Sequence, residues 1–201
     1  KWGALPPAYL VVLLGLTGRG ATRRWLDPTF FGQPSGIAAY LWNALGTSKF
    51  WVDLSWTLAG VAASFLLGSS AAFAVGLAFV RWPDLERFAD PYFNALNVMP
   101  RIALAPLFIL WFGIGLGSKV AVGCSLTFFI VLSATVAGVR GVSQAHVTLC
   151  RTLGAGALTT FLRVTLPGAV PVIFSGLRLG LIYALLGVVG TEIIASEKGL
   201  G

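Results

Sequence analysis

Residues that carry chemistry are scarce in this chain. A single histidine, His146, excludes the paired histidines of an HExxH zinc site, and no GxSxG turn presents a nucleophilic serine. No GxxxxGK followed by Ser or Thr is present, so the chain holds no nucleotide phosphates in a Walker loop. The GIGLGSK run ending at Lys119 has glycines and a lysine at the wrong spacing, and it closes an apolar run rather than a strand. Two cysteines, Cys124 and Cys150, are too few for a disulfide framework. They are expected on opposite sides of a span, as packing residues, and His146 is expected to be a solvated loop histidine. No metal or cofactor bound by the chain itself is expected.

Charge is also sparse. Charged residues make up 10% of 201 and hydrophobic ones 57%, with a mean hydropathy of +0.86. A water-soluble domain of this length could not hide that much apolar surface, so the chain is read as an integral membrane protein. The net charge of +7 comes from arginines scattered between apolar runs, the pattern of membrane-flanking charges, and nucleic acid is not expected as a partner. The chain begins at Lys1 rather than Met and stops at Gly201, and both ends are expected to be trimmed. Its first 18 residues lack a small-residue cleavage site and read as a truncated span rather than a signal peptide.

A bilayer core needs ~20 mostly apolar residues per helix, and five candidate spans emerge. The first covers residues 7–16. After it, residues 17–53 form a loop carrying Arg19, Arg23, Arg24 and Asp27, with a surface-lying helix over residues 37–57 anchored by Trp42, Trp51 and Trp56. The second span, residues 54–80, has Gly60, Ser64, Gly68, Ala72 and Gly76 at every fourth position, a stripe on which another helix can pack closely. Residues 81–101 return to polar character with Asp84, Glu86 and Asp90, a loop leading into a partly apolar helix. The third span follows, bent by Pro100 and Pro106 and therefore expected inside the bundle, with Gly113, Gly115 and Gly117 turning at its end. Residues 120–139 and 168–191 form the fourth and fifth spans.

Charge does not orient these spans, because the two sides carry equal numbers of basic residues. Lys119 and Glu192 fall with the first loop on one side. Arg178 is the one ionisable residue inside a span; it is either functional or snorkels to the headgroups. Glu192 cannot pair with it along one helix, at a separation of about 21 Å. Residues 143–171 form the remaining polar stretch. There a helix-compatible VTLCRTL, the turn Gly154-Ala155-Gly156 and a helical ALTTFLRV would project a knob. Leu149, Leu153, Leu158 and Phe161 are its apolar anchors, and Arg151 and Arg163 its polar contacts.

Gly154, Val164, Leu166 and Pro167 fall on the spacing of the EAA motif, and residues 54–201 as a whole resemble the permease subunits of bacterial type I ABC importers. RTLGAGALTTFLRVTLPGAVP and MPRIALAPLFILWFGIGLGSK are similar to the branch that takes up nitrate, sulfonate, taurine, bicarbonate and thiamine precursors. The resemblance implies an all-α transmembrane permease domain in the bacterial inner membrane, with a further C-terminal span. It implies that residues 143–167 are a cytoplasmic coupling loop, with Thr148, Leu149, Cys150, Arg151, Leu153, Gly154, Ala155, Gly156, Val164, Leu166 and Pro167 facing an ATPase. Residues 17–53 would then face outward. The implied partners are a second permease subunit in a homodimer, two ATP-binding subunits that hold ATP and Mg, an external solute-binding protein and membrane lipid.

The same resemblance implies rocking between inward- and outward-facing states. Gly60, Ser64, Gly68, Pro100, Arg101, Pro106, Arg178 and Glu192 are candidates for the pathway or for subunit contact. One departure stands out: Thr148, Leu149 and Cys150 occupy the positions of the motif's glutamate and two alanines. A small anion is the implied solute, attracted by Arg101 and Arg178, with a thiamine or pyrimidine precursor as the alternative. A secondary transporter or channel would need repeats and intramembrane charges. A membrane enzyme would need a nucleophile with a base, or a metal cluster. The sequence shows no repeat and, inside a span, only Arg178, so a secondary transporter or channel stands as the alternative from another class; it shows neither feature of an enzyme.

Overall fold

A computed structural model describes residues 34–99, 101–195 and 197–201, with only the backbone for Pro34, Ser35 and Arg101. The span expected at residues 7–16, the charges from Arg19 to Asp27, and Pro100 lie outside the described residues. The chain divides into two compact units, Lys1–Val52 and Asp53–Gly201. Every described element is helical: α1 (Pro34–Leu45), α2 (Ser48–Arg81), α3 (Pro83–Val98), a 3-10 turn (Arg101–Leu104), α4 (Ala105–Phe112), α5 (Leu116–Arg140), α6 (Gln144–Thr152), α7 (Ala157–Thr160), a π-helical turn (Phe161–Thr165) and α8 (Leu166–Ile194).

In the first unit, the single surface helix expected over residues 37–57 is interrupted. The Thr47 N–H and hydroxyl both donate to the Ala44 carbonyl, at 2.9 and 2.7 Å, and this local bonding ends α1. The Trp51 indole N–H donates to the Leu45 carbonyl at 3.0 Å. From Ser48 no breaker intervenes until Trp82-Pro83, so α2 begins before the expected residue 54 and runs 34 residues. At 1.5 Å per residue it is about 50 Å long, well beyond a hydrocarbon core of ~30 Å.

The second unit is built on the small-residue stripe. Gly60, Ser64, Gly68, Ala72 and Gly76 are all buried, as their spacing predicts. A Cβ added at Gly68 would stand 2.9 Å from the Cys124 carbonyl oxygen and from the Thr127 Cβ; one at Gly76 would stand 2.8 Å from the Thr135 methyl. The backbone of α2 therefore lies directly on α5. The α5 and α8 helices approach as closely: a Cβ at Gly187 would come within 2.8 Å of the Gly123 Cα, and the Thr127 hydroxyl donates to the Gly180 carbonyl at 3.1 Å. Ala72, Val131, Ala184 and Val188 fill the space between these helices.

Three expectations need correction here. The helix expected to follow a loop starts at once, and residues 83–98 are helical throughout. Pro83 occupies a first-turn position, Asp84 and Glu86 sit at the positive end of the helix dipole, and the polar residues keep to one face. Phe93, in register with Glu86 and Asp90, meets Phe79 (ring centroids 5.4 Å apart), Phe128 (6.0 Å) and Phe129 (5.7 Å), while Leu85, Phe88 and Tyr92 are exposed. Secondly, Pro106 does not bend a span. It lies in the first turn of the eight-residue α4, where a missing N–H costs nothing.

Thirdly, the third span is bent, as expected, but its second arm does not lie inside the bundle. The axes of α3 and of residues 102–112 differ by 79°, so that only together could they cross a membrane. Of α4 only Ala105 is buried, while Leu110, Trp111 and Phe112 face outward from this single chain. Gly113, at φ +77°, ends α4 with its N–H on the Ile109 carbonyl at 2.8 Å. Among the described residues, where four of the five expected spans fall, three helices are long and apolar enough to span a membrane: Ser48–Arg81, Leu116–Arg140 and Ala157–Ile194. The bent pair makes a fourth.

Candidate functional site

The knob between α5 and α8 has a defined geometry. Helix α6 ends in a Schellman cap: the Gly154 N–H donates to the Arg151 carbonyl at 3.0 Å and the Ala155 N–H to the Cys150 carbonyl at 3.0 Å. That closure requires the left-handed φ of +83° at Gly154, which favours glycine although space around its Cα is open. Residues 157–165 are not a separate second helix as expected. They continue through the π turn into α8, the Leu166 N–H reaching back to the Phe161 carbonyl. Pro167, which has no N–H to offer the Arg163 carbonyl, explains why the widened turn falls here.

Leu149, Leu153, Leu158 and Leu162 are exposed, Leu153 at 77%. Phe161 was expected at the docking tip; it instead packs under the knob against the cluster of Val139, Ala169 and Ile173, and Leu162 takes its place on the surface. Thr148, Arg151 and Arg163 are exposed, while Cys150, Val164 and Leu166 are half-buried. His146 is exposed, but on α6 rather than in a loop.

At the opposite end of α5 and α8 lies a buried ion pair that the sequence reading missed. The Lys119 ammonium donates to Glu192 Oε1 at 2.9 Å, and both residues are 2% exposed. The Thr57 hydroxyl donates to the same carboxylate, at 2.9 and 3.0 Å from its two oxygens, and accepts the Leu200 N–H at 3.1 Å. The Gly201 N–H donates to Glu192 Oε2 at 3.2 Å, the Gly199 N–H to Asp53 Oδ1 at 3.3 Å, and Lys119 also donates to the Lys198 carbonyl. Three helices and the segment 198–201 thus converge on one carboxylate. A side chain at Gly199 would collide with that carboxylate, and one at Gly201 would stand 2.6 Å from the Glu192 Cβ.

In the sequence alone, Lys119 and Glu192 read as charges flanking their spans. Helical phase was the available signal: Lys119 is in register with buried Val122, Gly123 and Leu126, Glu192 with Val188 and Ala184, and Thr57 with Gly60 and Ser64. Glu192 itself had been placed among the candidate contacts. Arg178 projects from the exposed face of α8, away from this cluster.

A cavity of about 350 Å³ opens between α3 and α5 at the end that carries the knob. Glu86 pairs with Arg140 on its wall, while Asp90, Asn94 and Asn97 line it beside Phe79, Phe93 and Phe129. Among the described residues no group of three or more His, Cys, Asp or Glu could hold a metal.

Long apolar helices packed backbone to backbone through glycines, joined by an exposed capped loop, define a polytopic helical membrane protein. The family "Binding-protein-dependent transport system inner membrane component" matches residues 64–201, and the chain belongs to it, among the permease subunits of bacterial ABC importers. It is 35% identical over 204 residues to the riboflavin transport system permease protein RibX of Chloroflexus aurantiacus, covering 100% of this chain and 75% of that one. It is 31% identical to the taurine transport system permease protein TauC of Escherichia coli over 96% of this chain and 72% of that one. Identity to the formylaminopyrimidine transport permease protein ThiX of Halalkalibacterium halodurans is 33%, over 100% and 80%.

Proposed function

We propose that this permease forms, with a second copy of itself, the membrane pathway of an ATP-driven importer, and that residues 143–167 are the cytoplasmic loop through which separate ATP-binding subunits drive it. The observation that carries the reading is the loop itself: two leucine pairs flank a glycine-dependent cap, exposed on this chain as a docking surface would be. On this reading residues 17–53 face outward, toward a solute-binding protein. Nucleotide and Mg belong to the partner subunits, and the chain works as a lever with no catalytic residue of its own. Purification from native membranes should bring down an ATP-binding subunit, and uptake in vesicles should stop without ATP. Uptake that continues without ATP would overturn the reading.

For the solute, the cavity favours the thiamine or pyrimidine precursor class over a small anion. Its Arg140 is already neutralised by Glu86, and the Asp90 carboxylate and the Asn94 amide share the lining with aromatic rings. That lining suits a planar, hydrogen-bonding, uncharged or cationic solute. Competition of taurine and of a formylaminopyrimidine for uptake tests this; inhibition by taurine alone would reverse it.

A further inference from the structure

The coupling loop carries charge of one sign. Between Asp90 and Glu192 the sequence contains no aspartate or glutamate, so residues 141–165 carry no acid of their own. Arg140, at the base of the knob, is satisfied by Glu86. Arg151 and Arg163 are exposed, and neither forms an ion pair with a described residue. Residue 148 sits three positions before Arg151 on α6, so a glutamate there would face the guanidinium and offset its charge. Thr148 leaves that guanidinium uncompensated. The two leucine pairs, Leu149 with Leu153 and Leu158 with Leu162, are spaced four residues apart on either side of the Gly154 turn.

We propose that the knob seats in an acidic groove of the soluble ATP-binding subunit, its leucines in the floor and Arg151 and Arg163 against carboxylates on the walls. The proposal rests on the coupling-loop reading above and adds the polarity of the partner. Charge complementarity selects this occupant, because an apolar tip ringed by unpaired cations is stabilised where its leucines are covered and its arginines meet acids. Leu153, the most exposed of the loop's four leucines, caps α6 beside the Gly154 turn, midway in sequence between Arg140 and Leu166.

The test is binding of the cognate ATP-binding subunit to the full-length permease in nanodiscs, made once of phosphatidylcholine alone and once with phosphatidylglycerol. Arg151→Glu is expected to weaken binding about tenfold or more, with Arg151→Lys restoring most of it. Thr148→Glu is expected to weaken binding by about threefold, and binding of the wild type should fall as salt rises. Tighter binding by Thr148→Glu, or no effect of Arg151→Glu, would overturn the acidic groove. So would an Arg151→Glu defect seen in phosphatidylglycerol and absent in phosphatidylcholine, which would make the arginines a lipid contact. Failure of the wild type to bind the ATP-binding subunit at all would instead overturn the coupling-loop reading on which the proposal rests.

Discussion

Lys119 and Glu192 lie 73 positions apart in sequence, and their ammonium and carboxylate meet at 2.9 Å in a site closed to solvent. Removing one member of such a pair strands the other, at a cost of about 3–5 kcal/mol, whereas removing both charges together costs much less. Lys119→Met is therefore expected to lower the melting temperature of the detergent-solubilised permease sharply. The double variant with Glu192→Gln should recover a large part of the loss. A double variant no more stable than Lys119→Met alone would mean that the pair is not the element that matters.

Gly199 and Gly201 leave room for the Glu192 carboxylate and its Cβ. Gly199→Ala should displace the segment 198–201 and destabilise the protein by about 1–3 kcal/mol, the range for an overpacked site. Combining it with Glu192→Ala should reduce the penalty, and a thermal-shift double-mutant cycle measures this.

On the α2 stripe, Gly68→Ala meets the Cys124 carbonyl and Thr127 with no flexible neighbour to yield. The expected result is a loss of about 1–3 kcal/mol and a smaller folded fraction on size exclusion. Arg178→Ala, on the exposed face of the same bundle, should change stability by no more than about 0.5 kcal/mol.

At Gly154 the open surroundings mean that backbone conformation alone resists substitution. Gly154→Val should cost about 1–2 kcal/mol locally through the left-handed φ, and Gly154→Asn distinctly less. Both proteins should still fold. ATP-driven uptake should fall in the valine variant while the asparagine variant keeps most of it; equal uptake in the two would argue against the cap as part of the lever.

Much of this was legible in sequence because it follows from local rules. The stripe from Gly60 to Gly76 declared its packing face through spacing alone. Gly154 declared a turn, whereas Pro167, which suggested a helix start, lies within a helix that already runs from Ala157. Other features misled because a residue's type was read without its partners. The polar look of residues 83–98 hid an amphipathic helix whose Phe93 meets rings from two other helices. Pro106 suggested a kink, but its effect depended on where the helix began. Phe161 looked like a docking residue until its neighbours in the core were known.

By itself the sequence determined that the chain is a helical membrane protein, where its small-residue face lies and which loop is exposed. Hydropathy, helical period and glycine conformation are properties of neighbouring residues along the chain. Only the tertiary structure decided that Lys119, Glu192 and Thr57 form one buried cluster rather than three flanking polar groups. A charge enters a low-dielectric interior only where an opposite charge and hydrogen-bond donors are brought to it from elsewhere, and chain order does not record which distant residue will arrive.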